Sequence, residues 1–169
     1  MRPVFTAIFA ALTIAFCATG CGGGGGGYGG SSTPSTGGST GTTSNNQTLA
    51  TMQLAGSNGY ISSNNHTVYV LSSDSFNNST CTSASGCTGL WPVVAPPSGS
   101  LSAGFATFVR GDGTTQLSYN GWPLYNYSGD SAAGQTNGNG IVSFGGTWSI
   151  ARPGMTASSG APAGYMPGH

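Results

Sequence analysis

The stretch Gly121-Trp122-Pro123-Leu124-Tyr125-Asn126-Tyr127-Ser128-Gly129-Asp130 determines the expected fold, because its ending, Tyr-x-Tyr-x-x-Asp, has an earlier counterpart. That counterpart is His66-Thr67-Val68-Tyr69-Val70-Leu71-Ser72-Ser73-Asp74, which ends in Tyr-x-Leu-x-x-Asp. The alignment runs without a gap from Ile61/Leu117 to Asp74/Asp130, and Trp91 and Trp148 follow the two aspartates at nearly equal distances. The pattern predicts two copies of one structural unit.

Charged residues are almost absent from this chain of 169 residues, which has three Arg, three Asp, no Lys and no Glu. Nothing forms a basic patch, so nucleic acid is excluded as an expected partner. Aromatic and aliphatic residues are well spaced through both copies, which argues against disorder throughout. The composition therefore predicts a small neutral folded domain.

The scarcity of carboxylates has two interpretations. Acid unfolding usually proceeds by protonation of carboxylates that are paired or hydrogen-bonded in the native state. A chain with three of them has little to lose in this way, which suits acidic surroundings. Alternatively, the neutral surface has no connection with pH.

Residues 1–20 have the pattern of a secretory signal, with Arg2 before an apolar run too short for a comfortable membrane span. The run ends in Ala18-Thr19-Gly20-Cys21, where small residues precede a cysteine as in a bacterial lipobox. This predicts a lipoprotein, with diacylglycerol thioether-linked to Cys21 and acylation, typically by palmitate, of the new amino terminus. The alternative is a plain secretory peptide. Gly22 is not the Asp that retains lipoproteins at the inner membrane, which favours the outer membrane or cell surface.

Residues 21–47 are a Gly/Ser/Thr tract that nothing apolar can order, so we predict a disordered, flexible tether. Residues 155–169 are mostly small residues interrupted by prolines, and we predict a disordered tail. The folded domain is therefore expected over 48–154, with repeat one at about 56–95 and repeat two at about 104–153.

Turn signals separate short β-type segments at matching places in both copies. Ser62-Ser63-Asn64-Asn65 predicts one hairpin turn and Asn120-Gly121 another, with a further turn at Gly111-Asp112-Gly113. Strands are expected near residues 59–62, 67–72, 106–110, 115–119 and 123–127. No segment has a useful helical period. The expected fold class is all-β, one small domain built from two β-hairpin repeats.

Cys81 and Cys87 are the cysteines expected to remain as thiols after export and lipidation. An even pair in an oxidising compartment most simply forms a disulfide. A redox or metal role would require a lowered thiol pKa or further ligands, and the spacing is not Cys-x-x-Cys.

Together, the repeated motif, the cysteine pair, Leu90-Trp91-Pro92 and the lipobox resemble the bacterial secreted-repeat lipoproteins, which have a Tyr-x-(Phe/Trp/Tyr)-x-x-Asp motif. The resemblance covers about residues 56–153. The repeat-motif positions are Tyr69, Leu71, Asp74, Tyr125, Tyr127 and Asp130. The second copy matches fully, whereas Leu71 replaces the preferred aromatic. Since this family has no established biochemical function, the resemblance implies export and location rather than a reaction.

Asp74 and Asp130 are the candidate site residues of the repeated frame. Two carboxylates in equivalent places suit a general acid/base pair or a cation site. An Asp after a strand also caps the following loop by accepting backbone N–H groups, and duplication places one in each copy. Most aromatic residues are expected in the core. Trp122 is the best candidate for an exposed ring that stacks on a sugar or peptide.

No Cys-x-x-Cys-His, Walker loop or supported Ser/His/Asp set is present in the sequence, so we expect no enzyme, metal or cofactor. The expected function is that of a membrane-anchored envelope or cell-surface lipoprotein with a non-enzymatic binding or structural role. Its expected partners are the membrane, through Cys21, and an unidentified envelope component or ligand. The alternative is a periplasmic redox-associated protein that binds metal or haem through residues such as His66, Met155, Met166 and His169.

Overall fold

The computed structural model describes residues 48–167, and these form a nearly all-β structure, which confirms the expected fold class. The predicted signal peptide, the tether and Cys21 lie outside the described residues. The elements are β1 (Ala50–Leu54), β2 (Ser57–Ile61), β3 (Tyr69–Leu71), α1 (Cys87–Leu90), β4 (Phe105–Val109), β5 (Thr115–Tyr119), β6 (Trp122–Pro123), β7 (Val142–Ser143) and β8 (Gly146–Ile150). Within 48–167 no helix is long and apolar enough to cross a membrane.

The described residues form three small antiparallel sheets. Strands β1 and β2 pair with each other, β4, β5 and β6 form a second sheet, and β3, β8 and β7 form a third. The predicted strand at 115–119 coincides with β5, whereas the predicted strand at 123–127 is reduced to β6 and an isolated bridge at Tyr125. The four-residue α1, which the sequence did not predict, follows the disulfide loop.

Both predicted hairpin turns are present. Asn120 and Gly121 have φ angles of 48° and 79°, the left-handed conformation that a two-residue turn between β5 and β6 requires. In repeat one the Asn65 N–H donates to the Ser62 carbonyl at 2.9 Å, and Asn65 has φ 62°. Asn-Gly therefore closes the second hairpin more tightly than Ser62–Asn65 closes the first.

This difference in turn length shifts the alignment of the repeats by one residue. The Tyr60 N–H donates to Ala151 O, and the Leu117 N–H donates to Val94 O, both at 2.9 Å. Tyr60 and Leu117 therefore hold equivalent positions, and the gap-free alignment of Ile61 with Leu117 is wrong by one residue. The longer turn of repeat one takes up the extra residue.

The two repeats are interlocked, because the tyrosine segment of each pairs with the tryptophan segment of the other. Strand β3 is antiparallel to β8, with Tyr69 opposite Ile150 and Leu71 opposite Trp148. In the same way Tyr125 forms a bridge with Val93. Strand β3 of repeat one thus joins a sheet of repeat two, and Val93 of repeat one contacts Tyr125 of repeat two through an isolated bridge.

A pseudo-two-fold axis passes between the two motif tyrosines. The Tyr69 N–H donates to Tyr125 O at 2.8 Å, and the Tyr125 N–H donates to Tyr69 O at 3.0 Å. Beneath this pair, the rings of Trp91 and Trp148 stack with centroids 3.7 Å apart and planes 4° from parallel. All four side chains are fully buried, so the expectation that these aromatics form the core is confirmed.

A disulfide joins Cys81 and Cys87, as predicted, with an S–S distance of 2.00 Å. Both cysteines are completely buried within the central hydrophobic cluster. Burial of both sulfurs fits a structural bridge better than an exchangeable redox pair.

Residues 155–167, for which the sequence predicts a disordered tail, make contacts with both repeats. The indole N–H of Trp122 donates to Thr156 O at 2.9 Å, and the Phe76 N–H donates to Ser159 O at 2.7 Å. The rings of Phe76 and Tyr165 meet edge to face, with centroids 4.8 Å apart. Composition alone missed this because the tail is held mainly through its backbone, which has no compositional signature.

Candidate functional site

The candidate site residues of the repeated motif meet across the pseudo-two-fold axis. The Tyr69 hydroxyl donates to Asp130 Oδ2, and the Tyr125 hydroxyl donates to Asp74 Oδ2, each at 2.7 Å. All four residues are buried. The tyrosine of each repeat therefore bonds to the aspartate of the other repeat and not to its own.

The second carboxylate oxygen of each aspartate caps a loop. Asp74 Oδ1 accepts the Thr80 N–H at 2.7 Å and the Thr80 hydroxyl at 2.8 Å. Asp130 Oδ1 accepts the Asn137 N–H at 2.9 Å. These contacts support the capping interpretation of the two aspartates, since both oxygens of each carboxylate have partners inside the protein.

The motif spacing follows from a tight turn that ends at each aspartate. The Asp74 N–H donates to Leu71 O and the Asp130 N–H donates to Tyr127 O, each at 3.0 Å. The third residue of Tyr-x-(aromatic)-x-x-Asp is therefore the first residue of a four-residue turn, and the aspartate is its last. Moving the aspartate by one position would turn its carboxylate away from the opposite tyrosine.

Leu71 occupies the position where the second copy has Tyr127, and the structure buries it completely. Its counterpart Tyr127 is only half-buried and packs on Trp91, with ring centroids 4.4 Å apart. A Cβ placed on Gly146 would lie 2.9 Å from Leu71 Cδ1, so strand β8 comes very close to this side chain. The smaller aliphatic side chain suits this closed position.

The sequence did not identify Arg110 as a site residue, yet its guanidinium is buried beside the Asp74 network. Nη1 donates to Ser79 Oγ at 3.0 Å and Nη2 donates to the Cys81 carbonyl. Nε contacts Asp112 Oδ2 at 3.4 Å. Arg110 therefore ties strand β4 to the disulfide loop. The sequence offered one signal. Arginine is scarce in this chain, and an arginine that is buried needs hydrogen-bonding or charged partners.

Burial controls the ionisation of this network. Desolvation raises the pKa of the Asp74 carboxyl above its ordinary value, opposed by hydrogen bonds from Thr80 and Tyr125 and by the nearby Arg110 charge. Desolvation also raises the pKa of the Tyr69 and Tyr125 hydroxyls, so both remain protonated donors.

The direction of the Asp74 shift predicts an unusual pH dependence. Folded Asp74 takes up its proton at a higher pH than the unfolded chain does, so the free energy of unfolding should increase as pH falls through the folded pKa. We expect the melting temperature of the wild type to hold or rise from pH 7 towards pH 4. Asp74→Asn should remove any rise. Thermal melts across this range test the expectation, and a steep fall in the wild type would contradict both it and the acid-adapted interpretation of the composition.

Other sequence candidates occupy structural positions. Trp122, expected to be exposed, is half-buried, and its indole N–H is bonded to the tail. Met155 packs near Trp122, and its Sδ accepts the Arg152 N–H at 3.2 Å. Met166 is 84% exposed, and His169 lies outside the described residues. Within 48–167 no three His, Cys, Asp or Glu side chains come together to hold a metal ion.

A polar cleft of about 450 Å³ lies beside the hairpin turn of repeat one. Its lining includes Ser62, Asn64, Asn65, Pro96, Pro97 and Asn126, and none of the residues that line it is charged. Two further cavities, of about 340 and 500 Å³, border the Arg110–Asp112 pair. The polar atoms of that pair already bond within the protein, and so do Ser62 Oγ and Asn126 Nδ2 of the cleft, whereas the side chains of Ser63, Asn64 and Asn65 are exposed.

Residues 106–152 match the family model Lipoprotein_15, a secreted repeat of unknown function. The matched segment runs from strand β4 past the end of β8 and contains Tyr125, Asp130 and Trp148. The resemblance noted from the sequence is thus confirmed, and the match supports an exported protein. Comparison with curated proteins gave no match, and comparison with solved structures gave none either.

Proposed function

We propose that this protein is a lipid-anchored protein of the outer membrane or cell surface with a non-enzymatic binding or structural role. The observation that carries the proposal is that the two motif aspartates form their hydrogen bonds inside the fold. Asp74 and Asp130 are buried, and each bonds to a tyrosine and to a loop backbone. These carboxylates, which are suited to acid–base catalysis, therefore serve as hydrogen-bond acceptors that join the two repeats.

A binding role draws support from the uncharged cleft of repeat one. The cleft offers side-chain amides and hydroxyls beside aliphatic and proline walls. Such a surface suits an uncharged ligand with its own donors and acceptors, because burial of an unpaired charge against it would be costly. Low charge over the whole chain fits the same ligand class.

The anchoring half of the proposal rests on Cys21, which follows small residues at the end of the apolar signal. Acyl chains on Cys21 and its amino group give stable attachment, since each buried CH₂ contributes roughly 0.8 kcal/mol. The Gly/Ser/Thr residues after Cys21 have the composition of a spacer between this anchor and the domain.

Cys21→Ser should release the protein from membranes into the soluble fraction, because the thioether can no longer form. Cys17→Ser is the matched control and should leave the protein in the membrane fraction, since Cys17 precedes the expected cleavage point. Fractionation and intact-mass measurement of the wild type check both. A Cys21→Ser protein that stays fully membrane-bound, or a wild type without lipid, overturns the anchor.

A further inference from the structure

The hairpin turns of the two repeats differ sharply in exposure. Ser63, Asn64 and Asn65 of repeat one are exposed, whereas Asn120 and Gly121 of repeat two are buried. Both turns connect the same two strands of the repeat. The contrast therefore comes from what covers the second turn and not from the turns themselves.

Residues 155–158 cover Asn120 in the turn of repeat two and are held by their main chain, whereas Phe76 and Asn77 cover Gly121. Asn120 Nδ2 donates to Met155 O at 2.7 Å, and the Ser158 N–H donates to Asn120 O at 3.0 Å. The Trp122 indole N–H donates to Thr156 O at 2.9 Å. Repeat two thus binds an extended segment of small uncharged residues, Thr156-Ala157-Ser158, which follows Met155 in the chain.

The chain follows a different path at the equivalent place in repeat one. Val94 corresponds to Ala151, because the N–H of Val94 bonds to Leu124 O as the N–H of Ala151 bonds to Val68 O. By this correspondence Pro97 takes the place of Gly154. The segment beyond Pro97 leads to β4, and Ser102 N–H bonds to Thr48 Oγ1 at 2.7 Å. The 450 Å³ cleft lies beside the turn of repeat one, at the place that corresponds to residues 155–158 on repeat two.

The cleft has the groups that recognise a main chain. Asn126 Nδ2 is fully used within the protein, because it donates to the Thr67 carbonyl at 3.0 Å and to Ser62 Oγ at 3.1 Å, so the donors that the cleft offers are the exposed side-chain amides of Asn64 and Asn65. Asn64 uses its Oδ1 to accept the Ser62 hydroxyl, which directs its own amide donors elsewhere. Main-chain hydrogen bonds are a recurring source of affinity in peptide recognition. No aromatic ring lines the cleft, so a stacked sugar ring has no platform there.

We propose that the cleft of repeat one binds an extended polypeptide segment with small uncharged side chains, held by its main chain as residues 155–158 are held on repeat two. The proposal rests on the binding role proposed above and is independent of lipidation at Cys21. The partner is a segment of another polypeptide whose composition resembles that of the covering segment. Oligosaccharide binding is the competing outcome.

The test uses the mature chain in solution and a synthetic peptide with the sequence of residues 155–165, Met-Thr-Ala-Ser-Ser-Gly-Ala-Pro-Ala-Gly-Tyr. We expect saturable NMR shifts of the side-chain amides of Asn64, Asn65 and Asn126. Loss of one hydrogen bond in Asn64→Ala should raise the dissociation constant about three- to tenfold. Asn58→Ala, at an exposed asparagine in the other hairpin of repeat one, should leave it unchanged.

Three results would overturn the proposal. NMR shifts confined to Asn120 and Trp122 would mean that the peptide only displaces residues 155–158 from repeat two and does not bind the cleft. Equal affinities for Asn64→Ala and the wild type would remove the cleft from the binding site. A neutral oligosaccharide that shifts the cleft amides while the peptide does not would assign the cleft to sugars. None of these outcomes affects the anchoring test with Cys21→Ser, so the two proposals fail separately.

Discussion

Residues 48–97 and residues 104–167, prepared as separate polypeptides, are expected to be unfolded, and to fold when they are mixed. Each piece contains one complete repeat but lacks the pairing partner that the other piece supplies, because β3 pairs with β8 and Tyr125 forms a bridge with Val93. An isolated chain of this size buries too small a fraction of its surface to fold easily by itself. The loss of structure should therefore be complete.

Near-ultraviolet circular dichroism measures this result directly. The stacked rings of Trp91 and Trp148 come from different repeats, so their asymmetric environment exists only in the assembled domain. The control is the intact domain cut within the 98–103 connection, which should keep its signal because both pieces were already assembled. A cooperative unfolding transition in either piece alone would show that the interlocked arrangement is not required for folding.

Asp74→Ala is expected to be the most damaging single substitution at the motif. It removes three hydrogen bonds, from the Thr80 N–H, the Thr80 hydroxyl and the Tyr125 hydroxyl, each worth about 0.5–1.5 kcal/mol, although the two hydroxyls keep their contacts with Ser73 Oγ and Ser79 Oγ. Asp130→Ala should cost less, because it strands only the Asn137 N–H and the Tyr69 hydroxyl. Asn at either position keeps one acceptor oxygen and should be milder. Urea unfolding of the four variants gives the order.

A double-mutant cycle separates pairing across the repeats from pairing within one. Asp130→Ala and Tyr69→Phe should be non-additive, because the two side chains share a hydrogen bond. Asp130→Ala and Tyr125→Phe are the matched control and should be nearly additive. Coupling with Tyr125 instead would contradict the crossed arrangement.

Thermal melts with Ca²⁺ and with chelator test the competing cation interpretation on the same variants. The capping role predicts no effect of either addition, since the carboxylate oxygens already have protein partners. A wild type that chelator destabilises, with this sensitivity lost in Asp74→Asn and Asp130→Asn, would establish a metal-binding repeat.

The features that depend on local chemistry could be predicted from the amino-acid sequence alone. Asn120-Gly121 predicts a tight hairpin because both positions need a positive φ, and the observed angles agree. The spacing of Cys81 and Cys87 in an exported chain predicted the disulfide. The duplicated Tyr-x-x-x-x-Asp frame, with a tryptophan after each copy, predicted two equivalent units. Each of these signals lies within a short segment, and the duplication is found by comparing two such segments.

Which repeat supplies the aspartate for each tyrosine depends on the tertiary structure. Both repeats carry the same tyrosine and aspartate. The sequence therefore does not distinguish a hydrogen bond between Tyr69 and Asp74 from one between Tyr69 and Asp130. The choice depends on how the Tyr69 and Tyr125 strands lie against each other at the axis. Burial of Arg110 and the cover over Asn120 were decided in the same way. These contacts join residues far apart in the chain, and those over Asn120 are made with backbone carbonyl and N–H groups, which every residue carries, so no local residue pattern identifies them.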